Sequence, residues 1–185
     1  LQTDILKNEL FVFLKDLNLD FNIDKNKETF FLIVNYFYNS GNISHAYQMI
    51  KNRDLENDKY FSYYTTIEIN YLLSTFQLEK VCNYKQTFNK NIDLENYLLE
   101  KLDIFCSILD DKLLEADLLN SILIETETTL DTNFQLLYKY LSNGNFSDDI
   151  KINFTEIVNL DLIFLYSAMA RIAEIPLDEN FLEID

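Results

Sequence analysis

The chain is poor in the residues that punctuate a backbone: its 185 residues include two Gly and one Pro. Hairpin-rich β folds and long loops depend on such residues for positive φ angles and fixed turns, so their scarcity points towards helices. Long apolar runs are also missing. Phe30 to Val34 is a purely apolar stretch near the start, and polar Asn35 ends it, far short of the roughly eighteen residues of a membrane span. The chain is therefore not expected to be membrane-embedded.

One histidine, two cysteines and no tryptophan are present. Any His-dependent triad must use His45, and Ser44 cannot be its nucleophile by adjacency, because successive helical side chains diverge. A zinc site needs about four nitrogen or sulfur ligands, which one His and two well-separated Cys do not supply without carboxylates. Two isolated glycines cannot form a phosphate-cradling loop. No catalytic residue, metal or cofactor is expected. Positive charge is scarce as well: 15 Lys and Arg stand against 31 Asp and Glu, a net −16. Such a field repels phosphate backbones and anionic lipid, so nucleic acid is not an expected partner.

What is present is an apolar fraction of 48%, enough for a folded chain, and a repeat. Ala46, Val81 and Ala116 recur at intervals of 35 residues. Ile43, Leu78 and Leu113 stand three positions before the small residue, and Tyr36, Tyr71 and Cys106 ten before it. A period in the mid-thirties with a small residue in the second helix is the pattern of stacked helical hairpins. Each hairpin alone is too small to bury its apolar face, so neighbours stack into one core. The expected fold class is all-α, an α-solenoid of tetratricopeptide-like hairpins in one domain spanning 1–185. A 35-residue period also fits pentatricopeptide repeats, but those read RNA through a basic groove, which the acidity excludes.

Along the chain, Asp4 to Leu17 carries apolar residues at spacings of three and four, with Thr3 or Asp4 as an N-cap. It reads as the second helix of an earlier repeat, and the start at Leu1 reads as a piece of a longer chain. A polar linker follows at Asn22 to Lys27. The repeats then run over about 27–57, 58–92 and 93–127, with a degenerate capping region over 128–185. In the first, Glu28 to Asn39 and Ser44 to Lys51 form helices around a Ser40-Gly41-Asn42 turn. Gly41 suits a left-handed helix end, and Ser44 can cap the next helix. Asp93 to Asn96 is read as a cap for the third repeat. In the capping region Asn133 to Leu141 is a short helix, Ser142 to Asn145 a turn, and position 151 is Lys where a small residue is due. Leu160 to Glu174 forms a last packed helix that Pro176 stops.

Other patterns favour plain structural readings. Asp20, Asn22, Asp24 and Asn26 alternate as in a calcium loop, but the sixth position is Lys25 and the twelfth Phe31, where Gly and Glu are needed. Asp110-Asp111 and Asp148-Asp149 read as caps at turns or helix starts, where carboxylates complement the positive helix end. Asn-x-Ser/Thr triplets at Asn42, Asn145 and Asn153 are expected by chance in so Asn-rich a chain. Cys82 lies near the start of one helix and Cys106 near the end of the next. Antiparallel neighbours would bring both thiols to one end of the stack, either as a disulfide or as two small buried apolar residues.

Leu78 to Cys82, Tyr97 to Cys106, Leu113 to Leu123 and Leu160 to Pro176 together resemble an alphaproteobacterial family of tetratricopeptide-like proteins of unestablished function, often labelled antifreeze-glycopeptide-related. The resemblance covers about half of the chain, and the tryptophan the family has near Tyr97 is absent. It implies a helical-repeat fold, a bridge between Cys82 and Cys106, and export to the periplasm or cell envelope, where disulfides persist; the alternative compartment is the cytoplasm. The expected function is a non-enzymatic scaffold that binds a protein or peptide partner, with Asn35, Tyr38, Asn70 and Asp103 as candidate contact residues chosen by helical phase. The alternative is an accessory domain of a larger enzyme whose active site lies outside this chain.

Overall fold

The computed structural model describes residues 9–10, 12–14, 24–55, 57–85, 94, 97–143 and 160–175. Helix is the only regular secondary structure among them, and the protein is all-α. The helices are α1 (Asp24–Asn39), α2 (Ile43–Ile50), α3 (Phe61–Ser74), α4 (Leu78–Lys85), α5 (Leu98–Leu109), α6 (Leu113–Thr126), α7 (Thr132–Asn143) and α8 (Leu160–Ile172). Residues 9–10 and 12–14 are helical too, with Leu10, Val12 and Phe13 exposed. The chain divides into two compact units, Leu1–Phe61 and Ser62–Asp185.

In the first unit α1 packs on α2. Phe30, Ile33, Val34 and Phe37 follow the three-and-four spacing of a helix face and are buried, as are Ala46 and Ile50 on α2. Helix α1 starts at Asp24, so Asp24 to Lys27 are helical rather than linker. Beyond α2 the chain folds back. Tyr60 stacks on Phe31 with ring centroids 3.8 Å apart, and the Arg53 guanidinium lies 4.6 Å from the Phe30 ring.

In the second unit α5 is the hub, packing against α4, α6, α7 and α8. Leu98, Leu102, Ile104 and Phe105 are fully buried on it, joined by Val81, Ala116, Phe134, Leu137, Leu165, Tyr166 and Met169. Each large apolar side chain so buried contributes about 1.5–3 kcal/mol. Ala168 and Ala170 are buried on α8 as well, and α8 packs on α7.

Three turns share one geometry at 35-residue spacing. Gly41, Phe76 and Asp111 are all left-handed, with φ of 79°, 55° and 59°. The N–H of the following residue donates back to a carbonyl five positions earlier: Asn42 to Phe37 (2.9 Å), Gln77 to Leu72 (2.8 Å) and Lys112 to Ser107 (2.8 Å). This Schellman closure satisfies carbonyls that a helix end leaves orphaned. Asn42, Gln77 and Lys112 then accept from the N–H of Ala46, Val81 and Ala116 at 3.0–3.1 Å, opening the next helix. Those three small residues are 0% exposed.

Several helix ends differ from expectation. Ser44 lies inside α2, and the N-cap is Asn42, which makes no side-chain capping bond. Tyr97, left-handed at φ 57°, takes the N-cap of α5, while Asp93, Glu95 and Asn96 lie outside the described residues. Asp110 is the C-cap of α5 and pairs with Lys112 at 2.9 Å; Asp148 and Asp149 lie outside the described residues. Ser142 and Asn143 still belong to α7. Helix α8 ends through a left-handed Glu174 and an Ile175 to Ala170 bond of 2.9 Å, so a backbone turn stops it before Pro176.

Candidate functional site

The four residues chosen by helical phase separate on inspection. Asn35 and Tyr38 on α1 are half-buried, and Asn35 Oδ1 accepts from Asn39 Nδ2 at 2.8 Å. Asp103 on α5 is half-buried. Asn70 is 0% exposed and cannot present itself to a partner. It stands at the same repeat position as Asn35 and Phe105, and Phe105 is also fully buried. Helical phase therefore assigns a position to a face but not to solvent. His45 packs edge-on against Phe37, with ring centroids 4.5 Å apart, as a packing residue of the first hairpin.

Cys82 on α4 and Cys106 on α5 are joined by a disulfide, with Cα atoms 5.7 Å apart. Residue 106 is 8% exposed. The bridge ties the hub helix to the end of the preceding hairpin and closes a loop over a separation of 24 residues. Loop entropy assigns such a closure about 3.5 kcal/mol.

The densest polar chemistry lies where α5, α7 and α8 meet, and the sequence reading missed it. Lys101 Nζ is 2.9 Å from Glu127 Oε1 and 2.8 Å from Asp131 Oδ2, with the lysine side chain 2% exposed. Tyr166 donates its hydroxyl to the same Asp131 Oδ2. Asp131 Oδ1 caps α7 by accepting the Phe134 N–H at 3.0 Å, and the Asp131 N–H donates to Glu127 Oε2 at 3.3 Å. Burial alone would raise the Asp131 pKa. The Lys101 ammonium, the Phe134 N–H and the Tyr166 hydroxyl outweigh it and hold the carboxyl below its ordinary range. Burial, reinforced by Asp131, pushes the Tyr166 phenol upwards.

This arrangement suits cohesion better than catalysis. Lys101 is engaged by two carboxylates, and Asp131 is held as an anion that accepts hydrogen bonds. A buried amide pair extends the polar seam: Asn120 Nδ2 donates to Gln135 Oε1 at 3.0 Å, and Gln135 Nε2 to Asn120 Oδ1 at 2.8 Å. Tyr138 donates to Asp117, and burial together with that carboxylate pushes its phenol up to about 12. The available signal was Lys101 itself, a lysine on the apolar stripe of Leu98, Leu102 and Phe105.

Helix α6 carries a second feature that sequence reading passed over. Leu114, Leu118 and Ile122 stand four residues apart on its outer side and are 87%, 63% and 50% exposed, while Ala116, Asn120 and Leu123 form its buried side. Its signal was a surplus of apolar residues, more than one helix face can hold.

Among the described residues, no three His, Cys, Asp or Glu side chains gather where they could hold a metal ion. No helix among them is long and apolar enough to cross a membrane. Compared with protein-family models, with curated proteins and with solved structures, the chain has no significant match in any of the three.

Proposed function

We propose that the protein is a non-enzymatic scaffold whose tetratricopeptide-like helical hairpins stack into one array and bind a protein segment. The observation that carries this reading is the shared geometry of the turns at Gly41, Phe76 and Asp111, each followed by a buried small residue. Three turns closed by the same hydrogen bonds at a constant interval are what a repeat of one supersecondary unit produces. The resemblance to the alphaproteobacterial helical-repeat family agrees with it. The disulfide favours an oxidising compartment, the periplasm or cell envelope. The net charge of −16 favours a protein over a nucleic acid as partner.

The partner-facing candidates are Asn35, Tyr38 and Asp103. Photoreactive residues placed singly at these positions in the native cells should yield discrete protein adducts, with none from the exposed control Lys80. Absence of adducts at all three would overturn the reading. Solution scattering tests the array separately. A compact globule of this length has a radius of gyration of about 16 Å, and a stacked array should exceed it clearly.

A further inference from the structure

We propose that the outer face of α6 is a docking surface for a cationic amphipathic helix of a partner protein. The proposal rests on the scaffold reading and deepens it by naming the surface and the chemistry of its occupant.

The face has an apolar centre. Leu114, Leu118 and Ile122 fall at successive spacings of four, so they form a continuous ridge about 12 Å long. Leu114, at 87% exposed, stands almost wholly in solvent. The opposite side of the same helix is already consumed by the core through Ala116, Asn120 and Leu123. Exposed leucines occurring singly need no explanation, whereas an ordered ridge of three marks a binding face.

Charge selects the occupant. The α6 sequence LLEADLLNSILIET contains three carboxylates and no Lys or Arg. By helical phase, Glu115 flanks the ridge and Glu125 extends it one turn further, and both are exposed. Asp111, just before the helix, is exposed as well, and the adjacent Lys112 is paired with Asp110 at 2.9 Å. A second copy docking symmetrically through this face would bring the carboxylates Glu115 and Glu125 of one copy against the same two carboxylates of the other, a like-charge contact. A helix carrying leucines at matching spacing and flanked by Lys or Arg fits both the ridge and its rim, packing helix against helix with its side chains between those of the ridge.

The test uses the full chain and a synthetic helical peptide about four turns long, with leucines four apart and lysines on both flanks. Its control is the same peptide with glutamate replacing lysine. Calorimetry should show binding of the lysine peptide and none of the glutamate peptide. The double variant Leu114→Ser/Leu118→Ser should weaken binding at least about tenfold, or 1.4 kcal/mol, with melting unchanged because both positions are exposed. Glu115→Gln/Glu125→Gln should weaken it about threefold and flatten its salt dependence.

Failure of the lysine peptide to bind would overturn the proposal. So would binding indifferent to the leucine substitutions, which would reflect general attraction to an acidic chain. A wild-type dimer dissolved by the same substitutions would overturn it in favour of a second copy. Adducts at Asn35, Tyr38 or Asp103 without peptide binding would remove the α6 surface alone. Peptide binding without any cellular adduct would support the α6 surface and count against the scaffold reading of the other helices.

Discussion

Phe76 holds the left-handed backbone that Gly41 holds thirty-five residues earlier, with φ of 55° against 79°. For glycine this conformation carries no steric penalty, whereas a residue with a Cβ is disfavoured there by about 1–2 kcal/mol. The turn keeps its shape regardless, because the same closing hydrogen bonds, Gln77 to Leu72 and Asn42 to Phe37, satisfy the helix end in both places.

The third member of that series gives a stability test at an exposed site. Asp111→Gly should stabilise the chain by about 0.5–1 kcal/mol, and Gly41→Ala should destabilise it by about 1 kcal/mol. Urea unfolding reads both. A loss of stability in Asp111→Gly would mean that the aspartate side chain contributes more than its backbone costs.

Removing Lys101 should be far more damaging than removing a surface lysine. Lys101→Met leaves Glu127 and Asp131 facing each other without their cation, and such an orphaned buried charge costs about 3–5 kcal/mol. Lys112→Met, at an exposed pair with Asp110, should leave the stability almost unchanged. Similar urea midpoints for the two variants would show that the ion cluster is not cohesive.

Acid should act through Asp131. Its folded pKa lies below the ordinary 3.8, so its contribution is full above that value and is lost as the pH falls through and below it. Asp131→Asn should therefore be less stable than the wild type at neutral pH, with the difference narrowing towards strong acid. A constant difference across the acid range, measured by urea unfolding at successive pH values, would contradict the assignment.

Base should act through buried phenols. Burial holds Tyr63, Tyr138 and Tyr166 above the usual tyrosine range, with Tyr138 at about 12. In these groups the folded state favours the neutral form, so stability is intact below pH 10 and falls as the pH rises beyond it. Absorbance titration of the 12 tyrosines should show a late fraction that ionises only with loss of helical circular dichroism. Uniform ionisation near pH 10 with the helices intact would refute this.

The disulfide predicts a thiol count and a stability change. Alkylation of unfolded, unreduced protein taken directly from its native cells should add no label, and reduction should expose two thiols. Cys82→Ala/Cys106→Ala should lower stability by about 3.5 kcal/mol if loop entropy dominates. Two labels before reduction would remove both the bridge and the argument for an oxidising compartment.

Much of the architecture follows from chain order alone, because its causes are local. Few glycines and prolines together with three-and-four spacing produce helices, and the 35-residue interval marks where they turn. Gly41 is legible as a left-handed position from its residue type; Phe76 and Asp111 are legible only by alignment with it.

What the folded packing settled is which equivalent positions share an environment: Ala46, Val81 and Ala116 do, all fully buried, and others do not. Asn35 is half-buried and Asn70 fully buried at one repeat position. Lys101 replaces Thr66 and Phe31 of the earlier repeats, and it is tolerable only because Glu127 and Asp131, some thirty residues away, arrive within 3 Å. The outward ridge of α6 is likewise defined by what the neighbouring helices leave uncovered. Backbone preference acts over one helical turn, whereas burial and ion pairing depend on side chains brought together from distant parts of the chain.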